Sequence, residues 1–145
     1  MLHPMTVHLP IGLLLGHAIF LAIFLWRRSS QHELAAFQCL WLGWVTLLPA
    51  VMTGTIDAAR QVVGPDAPRA DALMMVNAHA AAGVALLLVY WQAWQYRRRH
   101  PAWADAAPQR RAYLGRTALG IALLVLNGWL GGQLVYTLRL GVAQP

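Results

Sequence analysis

The chain contains no lysine, only five acidic residues and a single cysteine among its 145 positions. Each scarcity excludes something. Charged residues make up 11% of the sequence, where a soluble globular domain carries about 25%, so an ordinary water-exposed surface is not available. One cysteine, Cys39, permits no internal disulfide, no CxxCH attachment of covalent haem and no cysteine-rich metal cluster. It falls inside an apolar run, where a small buried residue is the plain expectation. What the chain has instead is 59% hydrophobic residues and a mean hydropathy of +0.49, the composition of a single membrane domain spanning residues 1–145. Eleven arginines give a net charge of +6. They cluster between apolar runs, so they read as topology determinants and not as a nucleic-acid surface. The partner implied is the lipid bilayer.

Four apolar runs reach the roughly 20 residues needed to cross a bilayer: approximately 7–26, 34–53, 72–94 and 113–136. In lipid each must be helical, because the backbone has to satisfy its own hydrogen bonds. The expected fold is therefore all-α, a four-helix transmembrane bundle. The first run lacks a basic leader and a small-residue cleavage site, so it reads as an anchor. The connection after span one carries Arg27 and Arg28; that after span three carries Arg97, Arg98, Arg99, Arg110 and Arg111, with Arg116 close behind. Between spans two and three, Arg60 and Arg69 are balanced by Asp57, Asp66 and Asp71. The positive-inside rule then makes the first and third connections cytoplasmic and puts both termini on the periplasmic side of a bacterial inner membrane. Trp26, Trp91 and Trp94 fall at the inner ends of their spans and Tyr136 at an outer end, as interfacial belts require. The 54–71 connection, with Gly64, Pro65 and Pro68, reads as ordered but irregular.

The unusual polar residues gather towards the outer face: His3, His8, Asp57, His79, Asn127, Gln133 and Tyr136, with no comparable cluster expected in the inner half. His8 and His79 each have a glycine one turn on, Gly12 and Gly83, a spacing that puts the small residue above the imidazole on one helix face. Spans one and three thus share a His-x-x-x-Gly pattern, and tandem hairpins would place them across the bundle from one another. Two neutral imidazoles on different helices are suited to the axial positions of a b-type haem. Gly12, Gly16 and Gly83 would make room for its edges, and Arg60 or Arg69 would pair with its propionates. Two axial imidazoles leave no open iron position, so the implied role is electron transfer by a non-catalytic subunit.

Plainer readings stand beside this one. Pro10 suggests a helix beginning there, with His8 near its cap, and His79 can serve as an interhelical hydrogen bonder. His17 lies nine residues after His8, about 900° round the helix, so it cannot share a site with His8; it reads as a satisfied core histidine or a substitute ligand. His3 precedes Pro4 and is expected in a non-helical piece, either plain surface or a lid folded back over the end, and it ranks behind His8 as a metal ligand. His32 and His100 read as solvated. Met5, Met74 and Met75 near the outer end raise copper as a competitor, although methionine is commonly core filler. Asn127 suits a hydrogen bond between helices, and Gln133 with Tyr136 suits a quinone head group. Gly12 with Gly16, or Gly128 with Gly132, has the small-xxx-small spacing of a pairing face.

Four stretches carry a family likeness: His3-Pro4-x-x-x-His8-x-Pro10-Ile11, Thr53-Gly54-x-x-Asp57, His79, and Gly128-Trp129-Leu130-Gly131-Gly132-Gln133-Leu134-Val135-Tyr136. From His3 to about Gly141 the chain resembles a bacterial four-helix inner-membrane family, domain of unknown function 2231. That pattern emphasises His3, His8 and His79 and has glutamate where this chain has Gln133, so no carboxylate proton carrier is implied there. Members of the family accompany or are fused to periplasmic cytochrome modules, which implies electron transport between the quinone pool, or a membrane partner, and a periplasmic redox protein. The expected function is thus a b-type haem electron-transfer subunit in a homo- or hetero-oligomer with a respiratory or cytochrome partner. The alternatives are a cofactor-free accessory subunit of a membrane complex and a copper-handling protein.

Overall fold

The computed structural model of the chain describes residues 3–63 and 70–138. It is all helical over those residues: α1 (His3–Thr6), α2 (His8–Arg27), α3 (Ser30–Val63), α4 (Ala70–Arg99), α5 (Ala107–Gly132) and a closing π-helical turn, Gln133–Thr137. Four helices are long and apolar enough to cross a membrane, in agreement with the four expected spans. Several ends differ. The irregular outer connection is helical as far as Val63, and at 1.5 Å per residue the 34 residues of α3 run about 51 Å, well beyond a hydrocarbon core of about 30 Å. Alanines and polar residues from Asp57 to Gln61 continue the helix readily once lipid no longer demands apolar side chains. α2 begins earlier than Pro10 suggested, at His8, and places Pro10 inside its first turn, where a missing N–H costs nothing. His3 is also helical, opening the single turn of α1.

The helices form an up-down ring in which each packs on its sequence neighbours and α5 closes back on α2; among the described residues the diagonal pairs do not bring their backbones together and meet only through long side chains such as His17 and Tyr90. Spans one and three therefore stand across from each other, as the two-hairpin pattern suggested. Apolar burial gives little drive between helices in lipid, so close approach and interhelical hydrogen bonds carry the packing. Glycine permits the approach. A Cβ at Gly43 would lie 2.7 Å from Leu14 Cδ2, and one at Gly16 would lie 3.4 Å from Cys39 Sγ, so α2 and α3 meet through a glycine on each. Cys39 is accordingly a packed small residue. Trp44 stacks on Trp94 with ring centres 5.4 Å apart and donates Nε1–H to Leu87 O at 3.1 Å, joining α3 to α4. Trp26, Trp91 and Tyr136 are exposed.

The two ends of the bundle are chemically unlike. The Arg28–Ser29 link and the 100–106 turn share one end with eight of the eleven arginines, and the acids there, Glu33 and Asp105, leave that end with the whole +6 net charge. Glu33 accepts from Arg97 through both carboxylate oxygens, with Nη2 to Oε2 at 2.9 Å, and its Oε1 also accepts Trp103 Nε1–H at 3.2 Å. Trp103, 1% exposed, then plugs that end against Phe24 and Tyr113.

Candidate functional site

At the opposite end the single turn of α1 lies against α3. The His3 backbone N–H donates to Asp57 Oδ2 at 3.2 Å, and the Thr6 and Thr53 hydroxyls share a hydrogen bond of 2.8 Å. His3 is thereby turned inward, its Nδ1–H donating to Ala50 O at 2.8 Å. Gly54 is the seat: a Cβ there would lie 2.9 Å from His3 Cε1. From α4, His79 donates Nδ1–H to Asn127 O on α5 at 3.2 Å and rests over Gly131, where a Cβ would come within 3.2 Å of its Cε1. The two imidazoles meet edge to face with ring centres 5.9 Å apart.

Because a carbonyl only accepts, each Nδ1 carries a proton, and in the neutral ring Nε2 then keeps its lone pair. This is how imidazole ligands are held in metal sites: a second-sphere carbonyl fixes tautomer and ring orientation. One polar atom beside them has no partner, the buried Asn127 Oδ1. The Asn127 amide nitrogen is near Gly83, 3.8 Å from where a Cβ would stand.

The structure redistributes the residues singled out in the sequence. It brings His79 to His3, whereas His8 projects from an exposed position in the first turn of α2. Gly12, one turn above His8, is likewise exposed, with nothing within 4 Å of a built Cβ. Arg60 is exposed at the same end and Asp57 is partly buried against α1; Arg69 lies outside the described residues. Gln133 accepts from the Thr137 hydroxyl at 2.8 Å, and Tyr136 is 86% exposed. Of the three methionines near this end, Met5 and Met74 are 76% and 71% exposed and Met75 is partly buried. No group of three or more His, Cys, Asp or Glu suited to a metal ion occurs among the described residues. His32 is partly buried with Nδ1 unpaired, and His100 stacks on Tyr96 at 4.2 Å; neither is simply solvated.

The expectation that the inner half holds no polar cluster is overturned. His17 is 0% exposed, its Nδ1–H donates to Ala36 O at 2.9 Å, and the Thr117 hydroxyl reaches its Nε2 at 3.4 Å. Tyr90 and Tyr113 present their rings edge-on at 6.4 and 6.3 Å. His17 is thus a partnered core histidine. Its neighbours come from three other helices at unrelated sequence positions, and only the pattern of buried faces would have grouped them.

No curated protein and no solved structure matched the chain. The sequence model of a family described as predicted membrane protein (DUF2231) matches residues 1–144. The chain belongs to that membrane-protein family.

Proposed function

We propose that the chain is an electron-transfer subunit of the bacterial inner membrane in which His79 and His3 hold a b-type haem at the periplasmic end of the bundle. The observation that carries this reading is the imidazole pair, 5.9 Å between ring centres, with both Nδ1 atoms tied to backbone carbonyls. Two imidazoles sharing one metal at bond lengths of about 2 Å place their centres on the order of 6 Å apart. Two protein ligands suffice for haem iron, which takes four from its macrocycle. Zinc or copper(II) would call for further protein ligands, and exposed Met5 and Met74 do not provide them. A bis-imidazole haem supplies one-electron transfer without an open position for oxygen.

The protein's own groups then have distinct tasks. Ala50 and Asn127 hold the imidazole tautomers, and Gly54 and Gly131 let the rings seat against α3 and α5. Arg60, exposed at this end, is suited to pair with a carboxylate such as a propionate. With Gln133 bonded to Thr137 and Tyr136 turned outward, the unpaired Asn127 Oδ1 is the acceptor best suited to a quinol hydroxyl. Electrons would pass between the quinone pool, or a membrane partner, and a periplasmic redox protein, with the arginine-rich end cytoplasmic by the positive-inside rule.

A cofactor-free accessory subunit is the second reading. It is favoured by the number of bonds His3 already makes within the chain, and by an edge-to-face ring contact that needs nothing between the rings. The visible spectrum and pyridine haemochrome of the chain purified from haem-replete cells decide between them. The haem reading expects a Soret band that His79→Ala and His3→Ala abolish and His8→Ala retains. A folded, colourless chain overturns it in favour of the accessory role, and stoichiometric copper without haem would revive the copper alternative.

A further inference from the structure

The cluster around His17 lies apart from the histidine pair and is independent of the haem proposal. Every helix of the ring contributes to it. From α3, Ala36 O takes the imidazole Nδ1–H and Glu33 stands on the arginine-rich side, paired with Arg97 of α4. From α4 comes Tyr90, and from α5 come Tyr113 and Thr117. One hydroxyl in this company is unpaired: Tyr90 Oη, on a residue that is 0% exposed. A hydroxyl left without a partner inside a bundle surrounded by hydrocarbon is costly, and buried polar groups of this kind are normally met by protein or by ordered water.

The geometry indicates where the partner belongs. A Cβ at Gly120 would lie 2.7 Å from Tyr90 Cζ, the carbon that bears the hydroxyl. Thr117 is one turn earlier on that face of α5, so the tip of Tyr90 packs on the same stretch of helix that carries the Thr117 hydroxyl. The contact between Thr117 Oγ1 and His17 Nε2, 3.4 Å, is long for a hydroxyl bond and leaves both atoms with unused capacity.

We infer that an internal water occupies the space among the Tyr90 hydroxyl, His17 Nε2 and Thr117 Oγ1, making a buried hydrated site next to the Glu33–Arg97–Trp103 group at the arginine-rich end. Buried waters take two to four polar partners, and three are present. With Nδ1–H committed to Ala36, the water donates to Nε2 and accepts from Tyr90 or Thr117. The imidazole thus shares a hydrogen bond with exchangeable solvent in the membrane interior.

Water-edited solid-state NMR of the intact chain in bilayers tests this. His17 and Tyr90 ring signals should receive magnetisation from water, while Leu14 and Leu21, also buried on α2, stay dark. Tyr90→Phe should remove the transfer to His17 and lower the thermal unfolding midpoint. Thr117→Val, which keeps the shape of the side chain, should weaken the same transfer. A dry His17 in the unaltered chain overturns the proposal. So does a raised midpoint in Tyr90→Phe, the result expected if that hydroxyl were merely an orphan whose removal relieves the fold.

Discussion

Gly120 and Glu33 show what single positions contribute to this bundle. At Gly120 the missing Cβ is occupied space: Tyr90 Cζ would stand 2.7 Å from it and Cε1 3.0 Å. Tyr90 is enclosed and cannot swing aside, so Gly120→Ala should destabilise the chain by about 1–3 kcal/mol, the usual cost of overpacking. Gly128→Ala, where nothing lies within 4 Å, should leave the unfolding midpoint in detergent unchanged or slightly raised by helix propensity. Comparing the two melts checks both. Glu33 serves three donors at once, two on Arg97 and one on Trp103. Its carboxylate and the guanidinium retain 18% and 16% side-chain exposure, which weakens the pair through solvent screening. Glu33→Gln should still cost about 1–3 kcal/mol, since Arg97 is left without a counter-charge. In the double variant Glu33→Gln with Arg97→Gln, part of that loss should return, and a double-mutant cycle by chemical unfolding measures the coupling.

At the level of elements, α1 matters more than its four residues suggest. A one-turn helix has no stability of its own, so it keeps its place through Asp57, Thr53 and the seat at Gly54. Asp57→Ala should therefore speed amide exchange at Val7, whose N–H is bonded to His3 O, without altering exchange in the middle of α2, a contrast that hydrogen–deuterium exchange resolves. The sequence announced the four long helices clearly because bilayer length and backbone satisfaction leave so few choices. It was less informative about α1. A histidine before proline favours extended backbone as a local rule, but proline early in a first helical turn is also well tolerated, and packing on α3 selects the second outcome. The histidine pair was half legible: His79 stood out by depth, while its neighbour depended on how α1 folds back. The His17 cluster was legible only in its pieces: His17 read as a core histidine and Tyr113 with Thr117 stand one turn apart on α5, but only the ring of helices unites them with Glu33 and Tyr90.

For the whole molecule, the separation of charge is the dominant feature. One end holds arginine stacked on aromatic rings, with Arg98 4.9 Å from the centre of Trp94 and Arg116 4.4 Å from that of Tyr96. The other end, counted over the sequence, is close to neutral. Such an asymmetry should orient the chain strongly in a membrane with a cytoplasm-facing positive rule. A reporter active only outside the cytoplasm, fused after Pro145, should be active, and a reporter active only inside should be silent; the reverse pattern would invert the assignment of sides.

The last ten residues of α3 have a further consequence. At 1.5 Å per residue these ten residues extend α3 by about 15 Å past the expected end of span two, and with Asp57 and Arg60 they form one wall of the histidine end. Any soluble partner arriving from that side would meet this shoulder before it met lipid. Its approach would be confined to the flank that the wall leaves open.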